Sequence, residues 1–365
     1  MQNTERPATP MRTMSGGGTS PIVRGAVLAL LASALFGLST PLVQRGGAGL
    51  GPFTTAGLLY AGAALLGALL RQPVGREARL RRTDLPRLVG MAAFGAVLGP
   101  VALAWGLQRT SGASASLMLT LEALFTALLA RVFYREALDA RVRAAMALIL
   151  CGGVLLVLDQ RLSGRAGLAG LLAVLVATVA WGTDNAISRA LAERDPGQVV
   201  MVKAALGASA SGLLALLAGE AVPSWTAAAA LLAVGASGYG LSLRFYLLAQ
   251  RTFGAARTGS VFALAPFLGA LAAVALGDRG WGTGMLVGGA AMLAGVLLHL
   301  TESHDHAHTH EPLAHEHAHR HDDGHHHDHA HAVMPAGAHS HWHVHAPLRH
   351  AHAHAPDLHH THGHG

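Results

Sequence analysis

Ten apolar runs of 17–23 residues, separated mostly by short polar breaks, constrain this chain more than any other feature. Runs of about 20 apolar residues match the ~30 Å hydrocarbon core of a bilayer, where a chain must satisfy its backbone polar groups internally. The runs are 25–43, 51–70, 88–107, 112–133, 142–158, 167–188, 198–218, 227–249, 256–276 and 282–300. Only 13% of residues are charged against 52% hydrophobic, too few to cover a water-facing surface of this size. An all-α integral membrane protein of ten transmembrane helices is therefore expected. The first 22 residues are polar, and the run beginning after Arg24 has no persuasive small-residue cleavage site. It is expected to stay as the first span, behind a disordered cytoplasmic N-terminus. The single cysteine, Cys151, lies inside an apolar run and forms no disulfide within the chain.

The net charge of +6 hides two opposed parts. Residues 301–365 carry eight acids against Arg320 and Arg349, a balance of −6, so the rest of the chain is +12. With the N-terminus in the cytoplasm, 17 Lys/Arg fall in cytoplasmic segments and 5 outside, with Lys203 counted among the former. That asymmetry reports topology, not nucleic-acid binding, and an even span number puts both termini in the cytoplasm. A bacterial inner membrane is the expected location.

The body repeats itself. LLASALFGLSTPLVQ (30–44) aligns with LVATVAWGTDNAISR (175–189), which sets Phe36-Gly37 on Trp181-Gly182. GASASLMLTLEALFTALLARVFYRE (112–136) lies over GAARTGSVFALAPFLGALAAVALGD (254–278) without a gap, with seven of 25 positions identical. Five spans per copy is odd, so the copies insert with opposite orientations. Inverted repeats build secondary transporters, with the solute site near the midplane between the halves.

Four segments carry a resemblance to a known family: ALFGLSTPLVQ (34–44), SLMLTLEALFTALLARVFYRE (116–136), VAWGTDNAISRAL (179–191) and GAARTGSVFALAPFLGAL (254–271). With the layout of five plus five spans, the chain resembles the EamA family of the drug/metabolite transporter superfamily across residues 25–300. The resemblance implies export or uptake of amino acids and other small metabolites by alternating access, without ATP and without a cofactor. It departs from the family pattern at Ala123, where a proline often follows the glutamate, and at Asp184, where an aromatic residue is common. The domains expected are 23–160 and 161–300 as the two repeats, then 301–365 as a tail.

Charges deep in the spans each cost about 2.5–3.5 kcal/mol at the membrane centre unless paired or hydrated, so they mark tasks. Glu122, eleventh in a run of 22, is placed to bind a proton or a solute amine, or to bond a neighbouring helix. Asp184 and Arg244 each stand 17 residues past the start of their runs and are expected to pair. Asn185, Trp181 and Tyr239 join them as expected cavity residues, with Trp105 and Tyr246 as further aromatic candidates. Pro41, Pro100 and Pro266 interrupt helical runs, and such breaks border binding cavities in transporters. Gly95/Gly99 and Gly284/Gly288 have the separation that lets helices approach closely.

Histidine is the second signal. Of 25 histidines, 24 lie in residues 301–365, mostly as His-x-His. The expected ligands are His304, His306, His308, His310, His315, His317, His319, His321, His325, His326, His327 and His329, which suit zinc, nickel, cobalt or copper. Large apolar residues are too scarce there to form a core, so a disordered, metal-binding tail is expected. Metal is thus also the rival cargo: a divalent-metal exporter, or a membrane-anchored metal store, stands beside the metabolite transporter. Against metal as cargo, no span holds a histidine before His299. The expected partners are lipid, a small-molecule solute and metal ions, with no nucleic acid and no enzymatic reaction.

Overall fold

A computed structural model describes residues 21–71, 78–134, 140–162, 167–188, 191, 194–253, 255–279 and 282–300, with 305–310, 313–319, 339–345 and 348–353 of the tail. The N-terminal segment expected to be disordered lies, up to residue 20, outside the described residues. Nine described helices are long and apolar enough to cross a membrane. They are span one (Val23–Gly46), two (Pro52–Leu69), three (Arg82–Leu107), four (Gly112–Phe133), five (Ala140–Asp159), six (Leu168–Ser188), seven (Pro196–Leu217), eight (Trp225–Gln250) and nine (Thr258–Ala275). A tenth helix, Thr283–Leu300, has 18 residues and takes the place of the tenth run. The helices expose leucine and valine outward, as at Leu65, Leu69, Val132, Leu150, Leu213, Leu271 and Leu286. A surface so apolar suits lipid and not water. This is a multi-pass membrane protein.

The spans form two inverted repeats, and the packing shows the relation directly. Gly37 of span one meets the Ala265 carbonyl and, at 3.1 Å from where a Cβ would stand, the Gly269 amide of span nine. Its repeat mate Gly182, on span six, meets span four the same way, with Phe125 Cβ at 2.9 Å and the Thr126 amide at 3.1 Å. Spans two and seven, which are mates, touch along Gly57 and Gly67. Spans five and ten, also mates, meet where Gly152 and Gly288 each face the other's carbonyl. Small residues thus let backbones approach where lipid supplies no hydrophobic drive.

The helix irregularities repeat as well. Span three is π-helical over Ala92–Leu98, and span eight over Gly235–Leu241, at equivalent places in the two repeats. Span four is interrupted at Leu119–Thr120, between helices Gly112–Met118 and Leu121–Tyr134. Span nine is interrupted at Ala263–Leu264, between Ala255–Phe262 and Ala265–Ala275. Pro266 follows the second break directly; the first occurs with Ala123 in that region, so the interruption does not require proline. Broken helices at matching places in both halves are the architecture that borders a transporter's cavity.

The bundle is tied at both ends. At the end where span one stops, Gln44 Nε2 donates to the Leu107 and Thr110 carbonyls at 2.8 and 3.0 Å. Asp278 there accepts from the Ala113 amide at 2.9 Å, and Arg45 donates to the Leu276 carbonyl. Glu220 holds the Phe53 and Thr54 amides, capping span two. At the opposite end, Arg194 pairs with buried Asp84 at 3.0 Å, and the Asp195 amide donates to the Ala78 carbonyl.

Composition expects no fixed structure in the tail, but four of its segments pair. Asp305–His310 lies antiparallel to Leu348–Ala353, and Leu313–His319 to His339–His345. His-x-His has the period of two that a strand has, which makes it compatible with this pairing. The register sets His306 opposite His352 and His308 opposite His350. It likewise sets His315, His317 and His319 opposite His343, His341 and His339. His304, His321, His325, His326, His327 and His329 lie outside the described residues.

Candidate functional site

The midplane site grows out of one freed carbonyl. In the π-helical turn of span three, the Gly99 amide donates to the Phe94 carbonyl, five residues back. The next amide in that register would serve Gly95, but residue 100 is proline and has none. The Gly95 carbonyl instead receives Trp181 Nε1 at 2.9 Å, together with the Tyr60 hydroxyl. A helix irregularity in span three thereby fixes an indole from span six and a phenol from span two. Gly95 and Gly99 are also the contact to span six: a Cβ on Gly95 would overlap the Asp184 carboxylate, and one on Gly99 would lie 2.7 Å from Trp181 Nε1.

Trp181 belongs to a cluster of six aromatic rings from five spans. Phe36 packs against Trp181, Tyr239 and Phe262 at 5.8, 5.9 and 5.4 Å between ring centres. Tyr60 meets Tyr239 at 5.5 Å, and Tyr246 meets Phe262 at 5.0 Å. Phe36 and Trp181 are repeat mates, so the pseudo-twofold relation passes through an edge-on aromatic pair.

One turn beyond Trp181 on the same face of span six, Asn185 Nδ2 donates to Glu122 Oε1 at 2.8 Å. It also lies 3.5 Å from Thr126 Oγ1. Glu122 sits in the first turn after the break in span four, where the positive end of a helix dipole favours a carboxylate. Gly182, lacking a side chain, lets span six approach span four one turn before Asn185. Glu122 and Asn185 are half-buried.

The expected Asp184–Arg244 pair is corrected. Asp184, 5% exposed, pairs through Oδ2 with Lys203 Nζ of span seven. Arg244 Nη1 donates to the Leu70 carbonyl at 3.1 Å. Sequence reasoning counted Lys203 among the cytoplasmic cations although it lies near the start of the apolar run 198–218. The helix begins at Pro196, behind Asp195, whose side chain accepts from the Gly197 amide at 2.8 Å. Lys203 is thus about two turns into the helix and only 6% exposed. Taking it out of the expected cytoplasmic count lowers that expectation from 17 to 16. Asp184 Oδ1 and Thr120 Oγ1 are buried and make no hydrogen bond among the described residues.

Of the other expected residues, Trp181 and Tyr239 belong to the aromatic cluster, and Pro266 is buried beside the break in span nine. Tyr246 joins the cluster, whereas Trp105 lies apart, under the Arg109 guanidinium at 3.7 Å. Pro41 does not join it. It lines a separate cavity of about 240 Å³ at the end of the bundle, with Gln44, Arg45, Ser111, Ala273, Leu276, Gly277 and Asp278. Phe36, Tyr60, Phe262 and Lys203 were missed as site residues. Phe36 was visible as the repeat mate of Trp181; nothing in the sequence marked Tyr60, because its role depends on the freed Gly95 carbonyl.

A model of the EamA-like transporter family matches residues 23–158 and again residues 168–301. An uncharacterized transporter of Methanothermobacter thermautotrophicus is 28% identical over 235 residues, 61% of this chain and 66% of that relative. The chain therefore spans just under two thirds of that relative's length. A protein of known crystal structure superposes with a TM-score of 0.54 at 20% identity, over 77% of this chain and 96% of the other. That likeness is one of fold.

Proposed function

We propose, for a chain that belongs to the EamA-like transporter family, secondary-active transport of small metabolites of amino-acid size through the site at Glu122 and Asn185. The observation that carries the proposal is the Glu122–Asn185 bond at 2.8 Å. It joins the two repeats at midmembrane, beside the breaks that alternating access requires. Export is the proposed direction, one of the two that the EamA resemblance implies. Residues 23–160 and 161–300 act as the two moving halves, and no enzymatic step or cofactor is needed. The cation bias of 16 to 5 favours a bacterial inner membrane with both termini cytoplasmic.

The tail is proposed to bind divalent zinc, nickel, cobalt or copper through neutral imidazoles, with copper and nickel held more tightly than cobalt. Its role is regulatory, not cargo capture. That no span holds a histidine before His299 weighs against metal as the transported species. Full-length protein and residues 1–300 reconstituted into vesicles provide the test. Both should show saturable, ATP-independent metabolite counterflow, and only the full chain should respond to added zinc or nickel. Absence of counterflow from both would end the transporter proposal. Metal flux lost on truncation would replace it with metal export.

A further inference from the structure

The transport proposal leaves the solute class open, and the charges around Glu122 narrow it. Glu122 and Asp184 are acids, and Lys203 is the cation paired with Asp184 in the buried core of spans six and seven. Fully ionised, the three groups sum to one negative charge, located at Glu122. Asn185 gives Glu122 a hydrogen bond but no charge. Among the described residues, Lys203 is held by Asp184 and Arg244 by the Leu70 carbonyl. Those two cations are engaged within the chain, while Glu122 offers a carboxylate to a solute ammonium.

The walls favour the same species. Phe36 lies 5.8, 5.9 and 5.4 Å from Trp181, Tyr239 and Phe262, and Trp181 lies 6.4 Å from Tyr239. Trp181 is one helical turn from Asn185, the residue that holds Glu122, so the cluster and the carboxylate are linked through span six. Ring faces attract cations, and a carboxylate beside several rings is the arrangement that recognises alkylammonium groups. The same rings accept the flat apolar body of an aromatic solute.

We propose that the solute is an organic amine cation with an aromatic or apolar body, not a zwitterionic amino acid. The ammonium sits against Glu122 and the body among Phe36, Trp181, Tyr239 and Phe262. The proposal rests on the transport reading of this same site. A zwitterion would bring a second charge that must be buried unpaired, so selection for the amine should be roughly a hundredfold or more.

Three solutes with one aromatic body separate the charges: 2-phenylethylamine, phenylalanine and 3-phenylpropionate. Their binding to detergent-solubilised full-length protein is read from thermal stabilisation across a concentration series. The amine should bind roughly a hundredfold more tightly than the other two, and Glu122→Gln should remove that preference. Asn185→Ala should weaken amine binding less, since it leaves the charge. Phenylalanine binding as tightly as the amine, and lost in Glu122→Gln, would overturn the solute class while leaving the site in place. Amine binding unchanged in Glu122→Gln, or stabilisation by none of the three, would also overturn the class. Counterflow by the same preparation decides separately whether the protein transports.

Discussion

Glu122→Gln is expected to reduce solute flux by about ten- to a hundredfold, with insertion and folding preserved. Glutamine keeps the oxygen that accepts from Asn185 Nδ2, so the contact between spans four and six persists. What disappears is the negative charge. A hydrogen bond to a charged group contributes ~1.5–3 kcal/mol, and that range sets the expected loss. The positive end of the half-helix beginning at Leu121 would then have a neutral side chain beside it, a lesser change of a few tenths of a kcal/mol to ~1 kcal/mol. Counterflow in vesicles, with protein quantity and monodispersity matched to wild type, provides the measurement. Transport at the wild-type rate with unchanged pH dependence would reduce Glu122 to a packing residue.

The Asp184–Lys203 pair should show the largest stability effect. Removing one partner of a buried ion pair leaves the other charge uncompensated, which costs ~3–5 kcal/mol. Asp184→Asn and Lys203→Met should each lower the melting temperature sharply. The double variant should regain part of the loss, because two neutral groups cost less than one stranded charge. A double-mutant cycle reads the coupling, and additive single effects would show that the pair contributes no joint stability. Arg244→Ala should not couple to Asp184→Asn, because Arg244 bonds Leu70 instead.

Much of the fold was legible because bilayer thickness leaves few options. A run such as 112–133 is read as a span from length and polarity alone, and the helix occupies Gly112–Phe133. The repeat was legible where residues at its axis resemble each other, as Phe36-Gly37 and Trp181-Gly182 do. Glu122 stood out because a midplane acid is rare, and its partner Asn185 lay in the aligned motif. Lys203 was misplaced because a cation five residues into an apolar run can serve either the interface or a buried partner, and only the packing of spans six and seven shows Asp184 as that partner. Asp184 was matched to Arg244 by depth, but depth says nothing of azimuth. The close contact of span three's Gly95 with Asp184 shows which way that carboxylate faces. Tyr60 was invisible because its bond requires a π-helical turn that opposes Pro100 to the Gly95 carbonyl. The nested pairing of the tail strands was not legible because alternation gives a period without naming a partner strand.

Alternating access at Glu122 and Asn185 can be tested with a single thiol. Cys151, the only cysteine and exposed on the bundle surface, is replaced by serine. Thr126→Cys then places one sulfur beside Asn185, and a membrane-impermeant thiol reagent is applied to vesicles of each orientation. A midplane site open to one side and then the other requires labelling from both faces, slowed from both by a bound solute. Labelling confined to one face, with or without solute, would contradict transport through this site.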